Sequence, residues 1–221
     1  MSELGVFETI YNCRAIRYLK PDPVPDDLVT KVLDAAIRAP SGSNRQAWHF
    51  VVVTDPATKR TLQGYYKQAF DVYATMMADV PPRPGVSVET QNRVVQSAVH
   101  LSEHLHEAPV LIIPLLVNEQ GKVAGDGTIQ DLARKSQYSS IYPAVQNILL
   151  ACRALGLGAC LTTLHLMHEA DAAKLLGLPE NVETMCLIPI GWPAAKFGPV
   201  KRVPVEEVAS LDRWGRPFGK N

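Results

Sequence analysis

The spacing of apolar positions changes from segment to segment, and the changes lay out the elements. Phe7 to Tyr11 reads as a short amphipathic helix, and Pro21, Pro23 and Pro25 then make an extended connection. Leu28, Val32, Leu33, Ala36 and Ile37 recur at helical period, which predicts a helix over Asp27 to Ala39 with Asp26 as N-cap and Pro40 as its stop. His49 to Thr54 is a run rich in β-branched residues and reads as a buried strand. Asp55-Pro56 opens a helix expected to reach Met77. Residues 79–88 are too rich in proline for a regular element. A helix over Glu89 to His106 and a strand over Val110 to Val117 follow, then a glycine-rich loop from Gly121 to Thr128. Ile141 to Leu155 is apolar on most of its surface and should be the most buried helix. After Gly156-Leu157-Gly158 come a short strand at Ala159 to Thr163, a helix over Glu169 to Leu176 closed by Gly177, and a strand over Met185 to Ile190. Long helices around a small sheet make this an α+β chain, read as one domain over residues 1–221.

Composition narrows the partners. The 221 residues carry 22 basic and 22 acidic side chains, so neither nucleic acid nor an anionic membrane is the expected partner. The longest apolar run, Ala108 to Val117, is interrupted by Pro109 and Pro114 and falls short of the roughly 18–20 residues of a membrane span. The N-terminus has neither a basic nor an apolar leader region, which reads as no secretory signal. Cys13, Cys152, Cys160 and Cys186 have no metal or disulfide spacing, so reduced thiols in a cytoplasmic protein are expected. Arg14 beside Cys13 would lower that thiol's pKa, although no histidine partner is evident.

Two segments carry candidate chemistry. Arg14-Ala15-Ile16-Arg17 sets two guanidinium forks within reach of one anion, and the planar fork suits phosphate. Pro40-Ser41-Gly42-Ser43-Asn44, between a helix and a strand, offers hydroxyls, amides and close backbone approach to a polar ligand. Taken singly, each also reads as a surface charge pair or an ordinary turn. His100-Leu101-Ser102-Glu103-His104 has the H-x-x-E-H spelling of some zinc peptidases, but no further ligand is in sight and a solvated helix face is the better reading; no metal is expected. Gly156-Leu157-Gly158 lacks the third glycine of a dinucleotide fingerprint and follows a helix, so a Rossmann site is rejected. No G-x-S-x-G elbow surrounds Ser41 or Ser43.

Together the segments resemble the FMN-dependent nitroreductase superfamily over nearly the whole chain: R-A-x-R at Arg14, A-P-S-x-x-N-x-Q-x-W from Ala39 to Trp48, a helix ending in L-G-L-G, a strand closing in I-G-W-P, and Lys201-Arg202-Val203-Pro204. The stretch from Ser140 to Leu166 is similar to an actinobacterial nitroreductase-like subgroup, and Thr162-Thr163 is similar to the iodotyrosine deiodinase branch. The resemblance implies a central mixed, mainly antiparallel sheet flanked by helices, in an intertwined homodimer with FMN at the interface. It implies Arg14 and Arg202 on the FMN phosphate, Arg17 near N1 and O2 of the ring, and Thr162 or Thr163 donating to N5. Pro40, Ser41, Gly42, Ser43 and Asn44 would bind from the partner subunit, and Ala15 would bind through its backbone where serine is commoner. NADPH or NADH would be the electron donor and a nitroaromatic or quinone the acceptor. Residues 65–95 and 119–138 would be mobile segments over the flavin, with Tyr65, Tyr66 and Tyr73 either stacking there or packing a helix. The tail at 203–221 would dock on the other subunit. A reductive dehalogenase-like flavoenzyme and a non-catalytic FMN-binding protein are the alternatives.

Overall fold

Strand β3, Val110–Val117, is the axis on which the rest is hung. Its side chains are buried on both faces apart from the last residue, so a continuous apolar run, not an alternating one, encodes it. The computed structural model describes residues 4–78, 80–81, 85–118 and 127–219. On one face of β3, Val110, Ile112 and Leu116 pack against helix α2 (Asp26–Ala36) and the end of α5 (Gly127–Ala154). On the other, Leu111, Ile113 and Leu115 meet α3 (Pro56–Met77) and the turn after α4 (Val88–His104). One strand thus divides two apolar layers by its pleat alone.

The sheet runs β1 (Leu19–Lys20), β6 (Ile188–Pro193), β3, β2 (Trp48–Val53), with β4 (Gly158–Ala159) on β6 and β5 (Val182–Thr184) on β3. Every strand pairing among the described residues is antiparallel. Helix α1 (Val6–Asn12) precedes β1, α6 (Glu169–Leu176) precedes β5, and α7 (Val205–Val208) lies in the tail. No described helix is long and apolar enough to cross a membrane.

Local chemistry fixes several ends as expected. Asp55 accepts from the Thr58 N–H at 2.7 Å with Pro56 in the first turn of α3, and Gly177 closes α6 at φ 66°. Other ends are corrected. Pro25, not Asp26, is the N-cap of α2, and Asp26 and Asp27 instead place negative charge in its first turn. That helix stops at Ala36, because Arg38 and Ala39 donate back only three residues. Helix α5 begins at Gly127, well before Ile141, and carries Pro143 inside it.

Of the expected strand Met185 to Ile190, only Ile188 to Ile190 are strand, at the start of β6; β5 ends before it at Thr184, and residues 185–187 are a break between the two. The register explains the break. Leu115 faces Thr184 but Ile112 faces Ile188, so residues 185–187 contain one residue more than the stretch of β3 opposite. The extra residue sits across from Pro114, whose carbonyl accepts from Met185 N at 2.9 Å. Within a strand a residue's N–H and C=O point the same way, so the N–H that Pro114 lacks would have faced this bulge. Leu187 turns its backbone to Thr162 instead.

Residues 65–77 and 88–95 are helical, as are 127–138, while residues 79, 82–84 and 119–126, which hold most of the expected loops, lie outside the described residues.

Candidate functional site

The arginine segment, residues 13–18, joins α1 to β1 and is pinned at its middle. Ile16, 3 % exposed, donates its N–H to Ala159 O at 2.9 Å. Its side chain presses on Gly158, where a Cβ would stand 2.8 Å from Ile16 Cγ2 and 2.8 Å from Leu19 Cδ2. Only glycine permits that approach. Arg14 and Arg17 are therefore held on either side of a buried anchor.

On the Arg14 side, the guanidinium donates to Lys196 O at 2.8 Å, and Val200 N donates to Tyr11 O at 2.8 Å. These bonds lay residues 196–202 along the end of α1 and bring exposed Arg202 near Cys13. The Cys13 thiol is pushed up by burial, with Arg153 and Arg202 acting in the opposite direction. The expected lowering of its pKa by Arg14 is thus corrected: desolvation outweighs the neighbouring cations. Arg153, in the last turn of α5, was not among the residues read from the sequence. Its guanidinium lies 4.2 Å over the Phe197 ring, and its Nε is buried without an acceptor. Among the described residues, no carboxylate pairs with Arg14, Arg17, Arg153 or Arg202.

On the Arg17 side, Nη1 donates to Ser97 Oγ at 3.1 Å, and Ser97 in turn bonds Val94 O at 2.8 Å. Arg17 also lies beside the Cys160 thiol, whose pKa burial raises against the pull of that cation. Two residues on, Thr162 exchanges both backbone bonds with Leu187, and its side chain lies beside the Tyr66 phenol. Tyr66 is 3 % exposed and burial raises its pKa, so it packs α3 next to Thr162 rather than lying open to stack on a ligand. Tyr65 stacks on His168 at 5.5 Å, and Tyr73 is exposed. Thr163 is exposed at the start of a 3-10 turn, Leu164–His168.

The H-x-x-E-H run is occupied by stacking. Tyr18 lies 4.2 Å from His100, which lies 4.3 Å from His104, and His104 meets Glu107 at 2.9 Å. Burial first, then His104, depress the His100 pKa. The described residues contain no cluster of three metal-ligating side chains.

The Pro40–Asn44 segment is elsewhere. Val117 N donates to Ala47 O at 3.0 Å, so this loop sits at the far end of β3 from Val110. The Ile16–Ala159 contact lies at the Val110 end through β4 and β6. An eight-residue strand separates the two by about 24 Å. Ser41 Oγ accepts from Gln46 N at 3.0 Å, and Ser140 Oγ accepts from Gly42 N at 3.1 Å. Ser43, Asn44 and Gln46 have φ of 52°, 52° and 53°, a left-handed backbone that costs each residue free energy. Ser43 lines a cavity of about 270 Å³ with Ser41, Gly42, Leu116, Ser136 and Ser140. One chain thus brings Arg14, Arg17 and Arg202 toward one end of the sheet, sets Thr162 level with the middle of β3 through Leu187, and leaves Pro40, Ser41, Gly42, Ser43 and Asn44 at the other end.

With that geometry in view, the nitroreductase family profile matches residues 10–192. A protein named NADH dehydrogenase from Thermus thermophilus is 34% identical over 203 residues, covering 88% of this chain and 90% of its own. Iodotyrosine deiodinase of Danio rerio is 29% identical over 216 residues, 93% of this chain and 66% of its own. The crystal structure of a BluB-like flavoprotein from Clostridium difficile superimposes with a TM-score of 0.72 at 24% identity, covering 95% of this chain and 100% of that one.

Proposed function

The chain belongs to the nitroreductase family, and we propose that it is a homodimeric FMN-dependent NAD(P)H oxidoreductase acting on electron-poor small molecules such as nitroaromatics and quinones. The observation that carries the reading is a group of guanidiniums without carboxylate partners, set next to a Thr162 platform. Like charges gathered at a surface call for a polyanion, and the phosphate of FMN is one. Bound FMN supplies the redox chemistry, taking hydride at N5 from NADH or NADPH and passing it to the acceptor in a ping-pong cycle.

The protein's part is to bind and to tune. Arg14 and Arg202 hold the phosphate by charge-assisted hydrogen bonds. Arg17, fixed by Ser97 and set beside Cys160, keeps a positive charge beside N1 and O2, where reduced flavin is anionic. Thr162, with its backbone locked to Leu187 and its side chain beside Tyr66, presents a hydrogen bond to N5. Ala15 contributes its backbone. Pro40, Ser41, Gly42, Ser43 and Asn44 lie too far along β3 to reach the same cofactor, which supports their binding the flavin of the partner subunit. Exposed apolar side chains on α1 and in the tail support the same assembly.

The relationship to iodotyrosine deiodinase, together with the hydroxyl of Thr162, favours one second reading: reduction of a carbon–halogen bond with the same cofactor. The test is the visible spectrum of the purified protein during anaerobic addition of NADH or NADPH. Flavin absorbance that bleaches and recovers with a nitroaromatic or quinone is the expected result. Recovery only with a halogenated phenol favours the second reading, and a colourless protein that FMN cannot reconstitute overturns both.

A further inference from the structure

We infer that Arg153 is a third phosphate-binding cation of the flavin site, aimed by Phe197, and that it makes the site select FMN over unphosphorylated riboflavin. The inference rests on the FMN reading above and adds a residue to it.

Three observations converge. The first is the free fork. Among the described residues Arg153 makes no side-chain hydrogen bond or ion pair, and its Nε is packed away, which leaves the two outer nitrogens of the guanidinium to meet a ligand. The second is what holds the fork in place. Phe197 lies under the guanidinium at 4.2 Å, and its neighbour Lys196 gives its carbonyl to Arg14 at 2.8 Å. A single short strap, residues 196–202, therefore contacts Arg14 by hydrogen bond, Arg153 by cation–π stacking, and brings Arg202 with it. The third is charge. Arg153 and Arg202 are both near enough to act on the Cys13 thiol, in the residue that precedes Arg14.

A simpler reading is that Arg153 caps the C-terminal dipole of α5, where a cation is favoured. The dipole explains a positive residue at this end. It does not explain two further guanidiniums drawn to the same place. A phosphate monoester dianion does, because its three oxygens accept from forks on several sides.

The experiment is a titration of the full-length protein, stripped of flavin, with FMN and separately with riboflavin, followed by quenching of flavin fluorescence. Wild-type protein is expected to prefer FMN strongly. Arg153→Met should weaken FMN by about tenfold to a hundredfold, what losing a charged hydrogen bond is worth, and leave riboflavin within about twofold. Inorganic phosphate should compete with FMN in the wild type and less effectively in the variant. Equal weakening of FMN and riboflavin assigns Arg153 a structural role and overturns the inference, as does an unchanged preference. Should Arg153→Met fail to fold, Arg153→Lys keeps the stem and charge but loses the fork. Its preference for FMN should fall by about threefold or more, and a wild-type preference there overturns the inference. Wild-type protein that binds neither flavin overturns the functional reading as well, whereas a strong FMN preference that survives substitution at Arg153 overturns this inference alone.

Discussion

His165 is the clearest case of a single side chain setting a measurable property. It is fully buried in the layer beside α3, both ring nitrogens lack partners, and burial depresses its pKa to about 4. The unfolded chain takes up the proton near pH 6.5, before the folded chain does, so the folded state loses stability as pH falls between the two values. The loss amounts to roughly 3 kcal/mol across that window and is absent above it. Urea unfolding of wild type and His165→Leu at about pH 7 and about pH 5 measures it. The variant should have the flatter pH dependence, and equal slopes would sink the assignment. Nothing in the sequence marks His165 as special among six histidines, because burial is a property of the packed chain. Arg153 escaped for a similar reason: the helix that carries it reads as an apolar core element, and Phe197, which aims it, is 44 positions away. Arg14 and Arg17 were legible because two cations three residues apart are visible without any fold.

Single elements were readable where period or punctuation was strong. Strand β3 matches its expected bounds, α3 begins at its cap Asp55, and α6 ends at its cap Gly177. The N-terminal half of α5 was not readable, since its exposed polar residues have no apolar face and Pro143 looks like a boundary. The β5–β6 break was hidden too, because a bulge is decided by the neighbouring strand, here by the missing N–H of Pro114. That long α5 also serves the Pro40–Asn44 loop. Ser140, one turn before Ala144, accepts from Gly42 N and itself bonds Ser136 O at 3.3 Å. Two residues of the loop, Ser43 and Asn44, and Gln46 just after it hold left-handed backbone, so it persists only while its surroundings over-determine it. Ser140→Ala should cost about 1 kcal/mol and release the Gly42 amide to faster hydrogen exchange. Unchanged exchange at Gly42 would mean that the cavity walls alone hold the loop.

For the molecule as a whole, the tail is the element that the chain does not account for by itself. Val205, Val208 and Phe218 are exposed, and Trp214 is 99% exposed at the tip of a small loop closed by the Ser210–Pro217 bridge. Apolar surface of this kind on a chain with no net charge invites a partner. If the chain dimerises around FMN as proposed, deleting residues 203–221, which spares Arg202, is expected to convert that dimer to monomer and to strip most bound flavin. Light scattering and flavin absorbance on one chromatographic run read both, and an intact dimer would mean that another surface joins the subunits. The overall architecture was legible from element order, whereas the separation of the two halves of the candidate site depends on which end of β3 each loop reaches. The bond from Arg14 to Lys196, 182 positions apart, bears on the life of the chain before it is whole. A nascent polypeptide has Arg14 long before it has its partner, and the bond waits until Lys196 has left the ribosome. The cation cradle therefore does not exist while the first 195 residues are being made, and any anion it holds binds after that.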